Sequence, residues 1–240
     1  MLGYRQPVDH HRLIKALRPI YEQRWISTGA SKGGMTSVYH RRFYPDDVDG
    51  TVAYVAPDDV NNVRDVYVPF IQRAVDDRTC NAALRAFQRT TLQRRTGLVR
   101  LLEAFAAENG LTYTNSSSGS TPESTDQEIF DSMDALVGWR FYSDQGLEPF
   151  VPYFYQASRQ LGWPDVAQTP WLRGLQHYRE AGSAPAKTPP SIRPRFEPNA
   201  MRDIDRWVRT QGRRLLFVYG ENDPWSAEPF TLGGPDTVPA

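Results

Sequence analysis

Cysteine is nearly missing from this chain: Cys80 is the single one in 240 residues. No intrachain disulfide can form, so cohesion has to come from packing, and cysteine usage says nothing about compartment. Asp76, Asp77 and Arg78 precede Cys80 in a helical run, which suits a packing or surface thiol and not a nucleophile. Net charge is missing as well, with 28 basic side chains against 28 acidic ones. That balance argues against a dedicated nucleic-acid binder and against a polybasic membrane-surface protein. No apolar run is long enough to cross a bilayer. The start, Met1-Leu-Gly-Tyr-Arg-Gln-Pro, has no apolar core of a signal peptide. Metal-ligand spacing is also absent. His10 and His11 are adjacent on an expected helix, about 100° apart, and cannot chelate together. Asp46-Asp47-Val48-Asp49-Gly50 fails as a calcium loop, because the register that puts Gly50 sixth puts Pro45 first and Ala56 twelfth. It reads as a turn, and no metal or cofactor is expected. With 40% hydrophobic residues the chain is globular and long enough for a sizeable core.

What is present centres on Trp25-Ile-Ser-Thr-Gly-Ala-Ser-Lys-Gly-Gly-Met-Thr-Ser, which holds Gly29-x-Ser31-x-Gly33 with Gly34 next. Arg24–Thr28 reads as a strand, and Lys32–Phe43 as a helix stopped before Pro45. A serine on so sharp a strand-to-helix turn stands clear of the sheet edge, as a nucleophile must. Glycines two before and two after remove Cβ atoms expected to collide across the turn. The helix N-terminus then aims N–H groups and a positive dipole at the reacting oxygen, with the Lys32 backbone N–H as oxyanion donor.

The runs Asp9-His-His-Arg, Arg24 through Ser37, and Arg41-Arg-Phe-Tyr-Pro-Asp-Asp-Val-Asp-Gly-Thr-Val-Ala-Tyr-Val-Ala-Pro resemble the S37 family of serine peptidases. Gly220-Glu-Asn-Asp-Pro-Trp-Ser-Ala-Glu resembles the same family near its other end. The resemblance implies a secreted actinobacterial tripeptidyl or tetrapeptidyl aminopeptidase with an α/β-hydrolase core, several members preferring proline before the cut. Its substrates would be peptide or protein amino termini, with no nucleic acid and no membrane involved.

In chain order, Val8–Gln23 reads as a helix with Asp9 as N-cap and Leu13, Ile14, Leu17, Ile20 and Tyr21 as its apolar face. His10 and His11 are expected as cap or surface residues. Thr51–Ala56 reads as a strand parallel to the first, ending at Pro57-Asp58-Asp59. Groups beyond the carboxyl ends of such strands face the ligand crevice. Asp58 and Asp59 are therefore candidates for the substrate ammonium, against ordinary turn acids, with Glu148 a further candidate. From Val60 to Asn199 the patterns are helical: Phe70–Val75, Cys80–Leu92, Leu98–Asn109 closed by Gly110, and Glu123–Tyr142 with Ile129, Phe130, Met133, Leu136, Val137 and Phe141 on one face. Thr114–Thr121 reads as a surface loop, Pro149–Trp171 is dense in aromatics, and Ala184–Pro198 is a proline-rich connector. Residues 203–211 read as a helix and Arg214–Gly220 as a strand delivering Asp223, where this fold puts the triad carboxylate.

The expected fold class is α/β: an α/β-hydrolase core with an incomplete, mainly parallel sheet and a large helical cap inserted between core strands. Residues 1–57 and 201–240 form the core, and 58–200 the cap or lid. The triad order Ser, Asp, His leaves a gap, since His10, His11, His40 and His177 all precede Asp223. His40 lies about 13 Å along the helix from Ser31 and cannot reach it. His177 falls in the cap, an unorthodox place for the base. By the resemblance, the chain reads as a larger secreted enzyme with both ends absent, inactive for want of the histidine. An esterase or lipase with the same elbow and a non-catalytic hydrolase-like binding protein are the alternatives.

Overall fold

The computed structural model describes residues 5–60, 66–74, 77–113, 125–164, 169–175, 187–189, 191–192 and 194–234. The expected Thr114–Thr121 loop and His177 lie outside these. The chain divides into two compact units. Unit 1 comprises Met1–Ala74, Gln156–Trp163 and Arg195–Ala240; unit 2 comprises Val75–Tyr155 and Pro164–Pro194. The elements begin with α1 (Arg5–Leu17), β1 (Ile26–Ala30), α2 (Lys32–Phe43), β2 (Gly50–Tyr54) and α3 (Tyr67–Ala74). They continue with α4 (Arg78–Gln93), α5 (Arg95–Asn109), α6 (Asp126–Val137), α7 (Asp144–Leu147) and α8 (Val151–Gln156), followed by a π turn at Ala157–Leu161. The chain then forms α9 (Asn199–Gln211) and β3 (Leu215–Val218). The class is α/β. Among the described residues no helix is long and apolar enough to cross a membrane.

Unit 1 is built on a parallel sheet in the order β1-β2-β3, with Ile26 opposite Gly50 and Thr51 opposite Leu215. One face is covered. Along α9, Met201, Ile204, Trp207 and Val208 recur at helical spacing and are buried in a core shared with Met35 and Val38 of α2 and Ala53 of β2. Each such side chain contributes about 1.5–3 kcal/mol by leaving water. The opposite face is open: Ile26 and Leu216 are each 57% exposed and Tyr54 45%. Parallel strands are ordinarily covered on both faces, so this bare face is a physical oddity of the unit.

Several expected boundaries shift for local reasons. The helix expected over Val8–Gln23 runs Arg5–Leu17 instead. Pro19 lacks an N–H and disfavours helical geometry at Arg18, which ends the helix there. Asp9 consequently lies inside α1 and is no N-cap. The expected apolar face is bare, with Leu13, Ile20 and Tyr21 all exposed. The first strand starts at Ile26, two residues late, because both backbone groups of Trp25 are taken by Asp49: its N–H by Oδ2 at 2.8 Å, its carbonyl by the Asp49 N–H at 2.7 Å.

In unit 2 every described element is helical, and local caps set the ends. Asp77 accepts the Thr79 and Cys80 N–H groups at the start of α4. Gly110, at φ 63°, closes α5, and a Thr125/Glu128 capping box opens α6. The helix expected over Glu123–Tyr142 stops at Val137, where Gly138 takes φ 70°. Leu136, still inside the helix, and Phe141, beyond it, are expected on one face with Ile129 and Phe130 but are exposed. Leu98, Leu102, Ile129, Phe130 and Trp139 form the core, and the Trp139 indole donates to the Phe130 carbonyl. Cys80 is an exposed free thiol.

Candidate active site

The chain leaves β1 into Ser31, which sits at φ 53°, ψ −126°, as the cap of α2. A non-glycine residue there is strained by about 1–2 kcal/mol and persists only when its surroundings over-determine it. They do so here: the Ser31 N–H donates to the Tyr54 carbonyl at 2.9 Å, and the Ser31 carbonyl accepts from Met35 N–H at 3.0 Å. A Cβ on Gly29 would overlap the Gly33 carbonyl carbon and stand 2.8 Å from Gly34 N. One on Gly34 would stand 2.9 Å from the Ala56 Cβ. A Cβ on Gly33 would meet nothing within 4 Å. The tight glycines are thus 29 and 34; the expectation for Gly33 was wrong because its Cα faces open space. Val55, just past β2, adds a second strained position at φ 42° and is tied by its N–H to the Val218 carbonyl at 2.8 Å.

Lys32 opens α2, and first-turn N–H groups point out of a helix's N-terminal end, where negative charge is favoured. Burial lowers the pKa of the Lys32 ammonium. Asp223 follows β3 on a half-buried loop, and its Oδ1 accepts the Trp225 N–H at 2.9 Å. Tyr219 bolts that loop to the end of β2: its hydroxyl donates to the Ala56 carbonyl and accepts the Phe230 N–H, both at 2.8 Å. Burial, the first cause, pushes the Tyr219 phenol up to about 12. Ser31 and Asp223 thereby stand at the same, carboxyl-terminal edge of the sheet. The strands that lead to them, β1 and β3, lie two strand spacings apart, roughly 10 Å.

Residues 3–122 and 117–237 match the family model described as PS-10 peptidase S37. The chain belongs to that family. A prolyl tri/tetrapeptidyl aminopeptidase from Streptomyces mobaraensis is 45% identical over 254 residues, which cover 94% of this chain and 53% of the relative. The chain therefore spans about half the length of that relative.

Within this S37 family member the acids singled out by sequence part company. Asp58 and Asp59 follow β2 after Val55, Ala56 and Pro57 but are buried, at 7% and 3% exposure. The Asp58 carboxyl is pushed up to about 9, first by burial, then by its hydrogen bond to and the charge of Asp205 on α9. It is protonated and neutral at pH 7. Asp59 packs against Gly162, where any Cβ would overlap its carboxylate. Glu148 is exposed and belongs to unit 2.

The three described histidines gather away from Ser31, around Asp47. His40 is fully buried, with Nε2 2.8 Å from Asp47 Oδ2. The Nδ1 of His11 lies 2.7 Å from the same oxygen. His11 is thus neither a helix cap nor a simple surface residue. Sequence reasoning named Gly34 without giving it a role, and missed Val55, Asp205 and Tyr219. Only Gly34 left a local signal, as the second of two adjacent glycines after the serine.

Proposed function

We propose that this chain carries the nucleophile and the acid of a serine peptidase of α/β-hydrolase type, which releases tri- and tetrapeptides from free amino termini. The strained geometry of Ser31 is the observation that carries this reading. Family membership and the printed name of the relative support the peptide substrate, and that relative's name also favours a prolyl residue at the cut. Ser31 Oγ attacks the scissile carbonyl carbon and loses its proton to a base. The oxyanion is met by the Lys32 N–H, the amine leaves with a proton, and water hydrolyses the acyl-enzyme. Asp223 orients and charges the base, a histidine by the logic of the triad. The protein acts outside the cell.

The same reading makes the 240-residue chain alone nearly inactive. His40 is locked on Asp47, and loss of one triad member costs roughly 10⁴–10⁶ in kcat. Of the candidate ammonium anchors, Asp58 is disfavoured because a neutral carboxyl attracts no cation; Asp59 and Glu148 remain.

An organophosphorus serine-hydrolase probe tests the reading. The expected outcome is slow labelling at Ser31 alone, abolished in Ser31→Ala. Undiminished labelling of Ser31→Ala would overturn it. For the substrate, a tripeptide amide with a free amine is expected to bind at least tenfold more tightly than its N-acetyl form. Equal binding would reject the aminopeptidase part while leaving the nucleophile intact.

A further inference from the structure

Three of the four histidines in the chain converge on one turn of unit 1, a cluster that the proposed chemistry does not use. Asp47 Oδ2 receives His11 Nδ1 from α1 at 2.7 Å and His40 Nε2 from α2 at 2.8 Å. A carboxylate only accepts hydrogen bonds, so both ring nitrogens donate, and in the neutral state each imidazole has its proton on the nitrogen facing Asp47. The His11 ring stacks on Tyr44 at 4.1 Å, and His10 meets His40 edge-on at 5.6 Å. The other nitrogen of His40, Nδ1, is buried without a hydrogen-bond partner among the described residues. As an acceptor in a neutral ring it is tolerable there. Carrying a proton it would be a buried, unsatisfied donor on a cation.

We propose that His11, Asp47 and His40 form an acid-released latch that clamps α1 to α2, the helix that holds Ser31 at its start. At neutral pH the neutral His40 ring and the His11 ring both close on Asp47. On acidification His40 has to take a proton on Nδ1, where the closed cluster offers no acceptor. The rings separate and α1 comes away from α2. The latch stands on this geometry and not on the assignment of the nucleophile.

The charges around His40 agree with that direction. Burial is the largest influence and lowers its pKa below the ordinary 6.5; Asp47 raises it by hydrogen bond and charge, and His10 and His11 from α1 lower it. On α2 itself, the neighbouring Arg41 guanidinium is turned to the carbonyls of Pro45, Val48 and Arg213. From α9, Asp203 faces Arg42 at 3.5 Å. Asp49, in the same turn as Asp47, is occupied by the Trp25 N–H. The sign follows. With the folded pKa depressed, the stability contributed by neutral His40 is complete above 6.5 and is lost as pH falls from 6.5 through the folded value. Asp58, with its carboxyl raised to about 9, acts in the opposite direction across that window and adds stability as pH falls, so the latch is read at the α1 amides and not from global unfolding.

Hydrogen exchange of the intact chain, corrected for intrinsic rates, tests the latch between pH 7.5 and 5.5. Protection of α1 amides is expected to fall, by at most about fivefold over the pH unit below 6.5, while that of α6 in unit 2 stays level. In His40→Gln, whose amide nitrogen replaces Nε2 but takes no proton, the fall should vanish. The same fall in His40→Gln as in the unaltered chain would overturn the proposal. Should that variant not fold, ring-proton NMR of the unaltered chain decides. A His40 midpoint below 6.5 that coincides with the loss of α1 protection supports the latch; a midpoint at or above 6.5 overturns it.

Discussion

The two units handle backbone strain in opposite ways. In unit 2 the described residues with positive φ are Gly110, Gly138 and Gly174, the residue type that pays nothing for it. In unit 1 they include Ser31, Val55 and Arg214. Unit 2 ends its helices by local rules: a capping box at Thr125, a side-chain cap at Asp77, a left-handed glycine at position 110. Unit 1 forces ordinary residues into costly conformations and holds them with bonds from distant strands, as the Tyr54 carbonyl holds Ser31. Local agreement between sequence and structure characterises unit 2. Local conflict resolved by tertiary contacts marks the unit that carries the candidate chemistry.

Adding one methyl group at Gly29 should break this contrast hardest. In Gly29→Ala the new Cβ meets backbone that cannot give way, and a loss of about 3 kcal/mol is expected in denaturant unfolding of unit 1. A variant as stable as the parent would show that the elbow has slack.

Asp58→Asn comes next. With the Asp58 carboxyl raised from 3.8 to about 9, the folded state binds a proton the unfolded chain releases. Stability from this group is therefore full below 3.8 and is lost as pH rises through 9, by about 1.4 kcal/mol per pH unit. Asparagine can still donate to Asp205 but does not titrate. The variant is expected to melt higher at pH 8 and to flatten the decline between pH 6 and 9. An unchanged pH profile would reject the protonated pair.

Thr125→Ala probes the locally built unit. It removes one capping bond at the start of α6 and should cost about 1 kcal/mol. Thermal melting followed at Trp139 would read it, and a cost near zero would mean that packing, not capping, sets that end.

The smallest effect belongs to Gly33→Ala, where the new methyl points into open space inside α2. A gain of about 0.5–1 kcal/mol is expected from the helix preference for alanine. Destabilisation comparable to Gly29→Ala would contradict the asymmetry between these glycines.

Much of this architecture was legible in the residues. The boundaries of α2, Lys32–Phe43, followed from the elbow pattern and from Pro45. The Gly110 stop, the turn at Asp46–Gly50 and the strands near 51–56 and 214–220 followed from short-range preferences. The end of α1 was equally legible in Pro19, where an apolar periodicity carried the reading too far.

The sequence by itself determined what depends on a few consecutive residues: where the backbone can turn, which runs are helical or extended, and that Ser31 heads a strand-to-helix elbow. Tertiary structure alone decided the rest. Gly34 is crowded because Tyr54 at the end of β2 and Ala56 just past it come against it, whereas Gly29 is crowded by its own elbow. Asp58 is neutral because the fold buries it and α9 brings Asp205 against it. Asp47 is a latch point because the His11 ring returns to it from 36 residues away. Dihedral preferences act between neighbours and leave a local pattern. Steric crowding, desolvation and charge pairing act across space between residues far apart in the chain, and none of them exists until the strands and helices have packed.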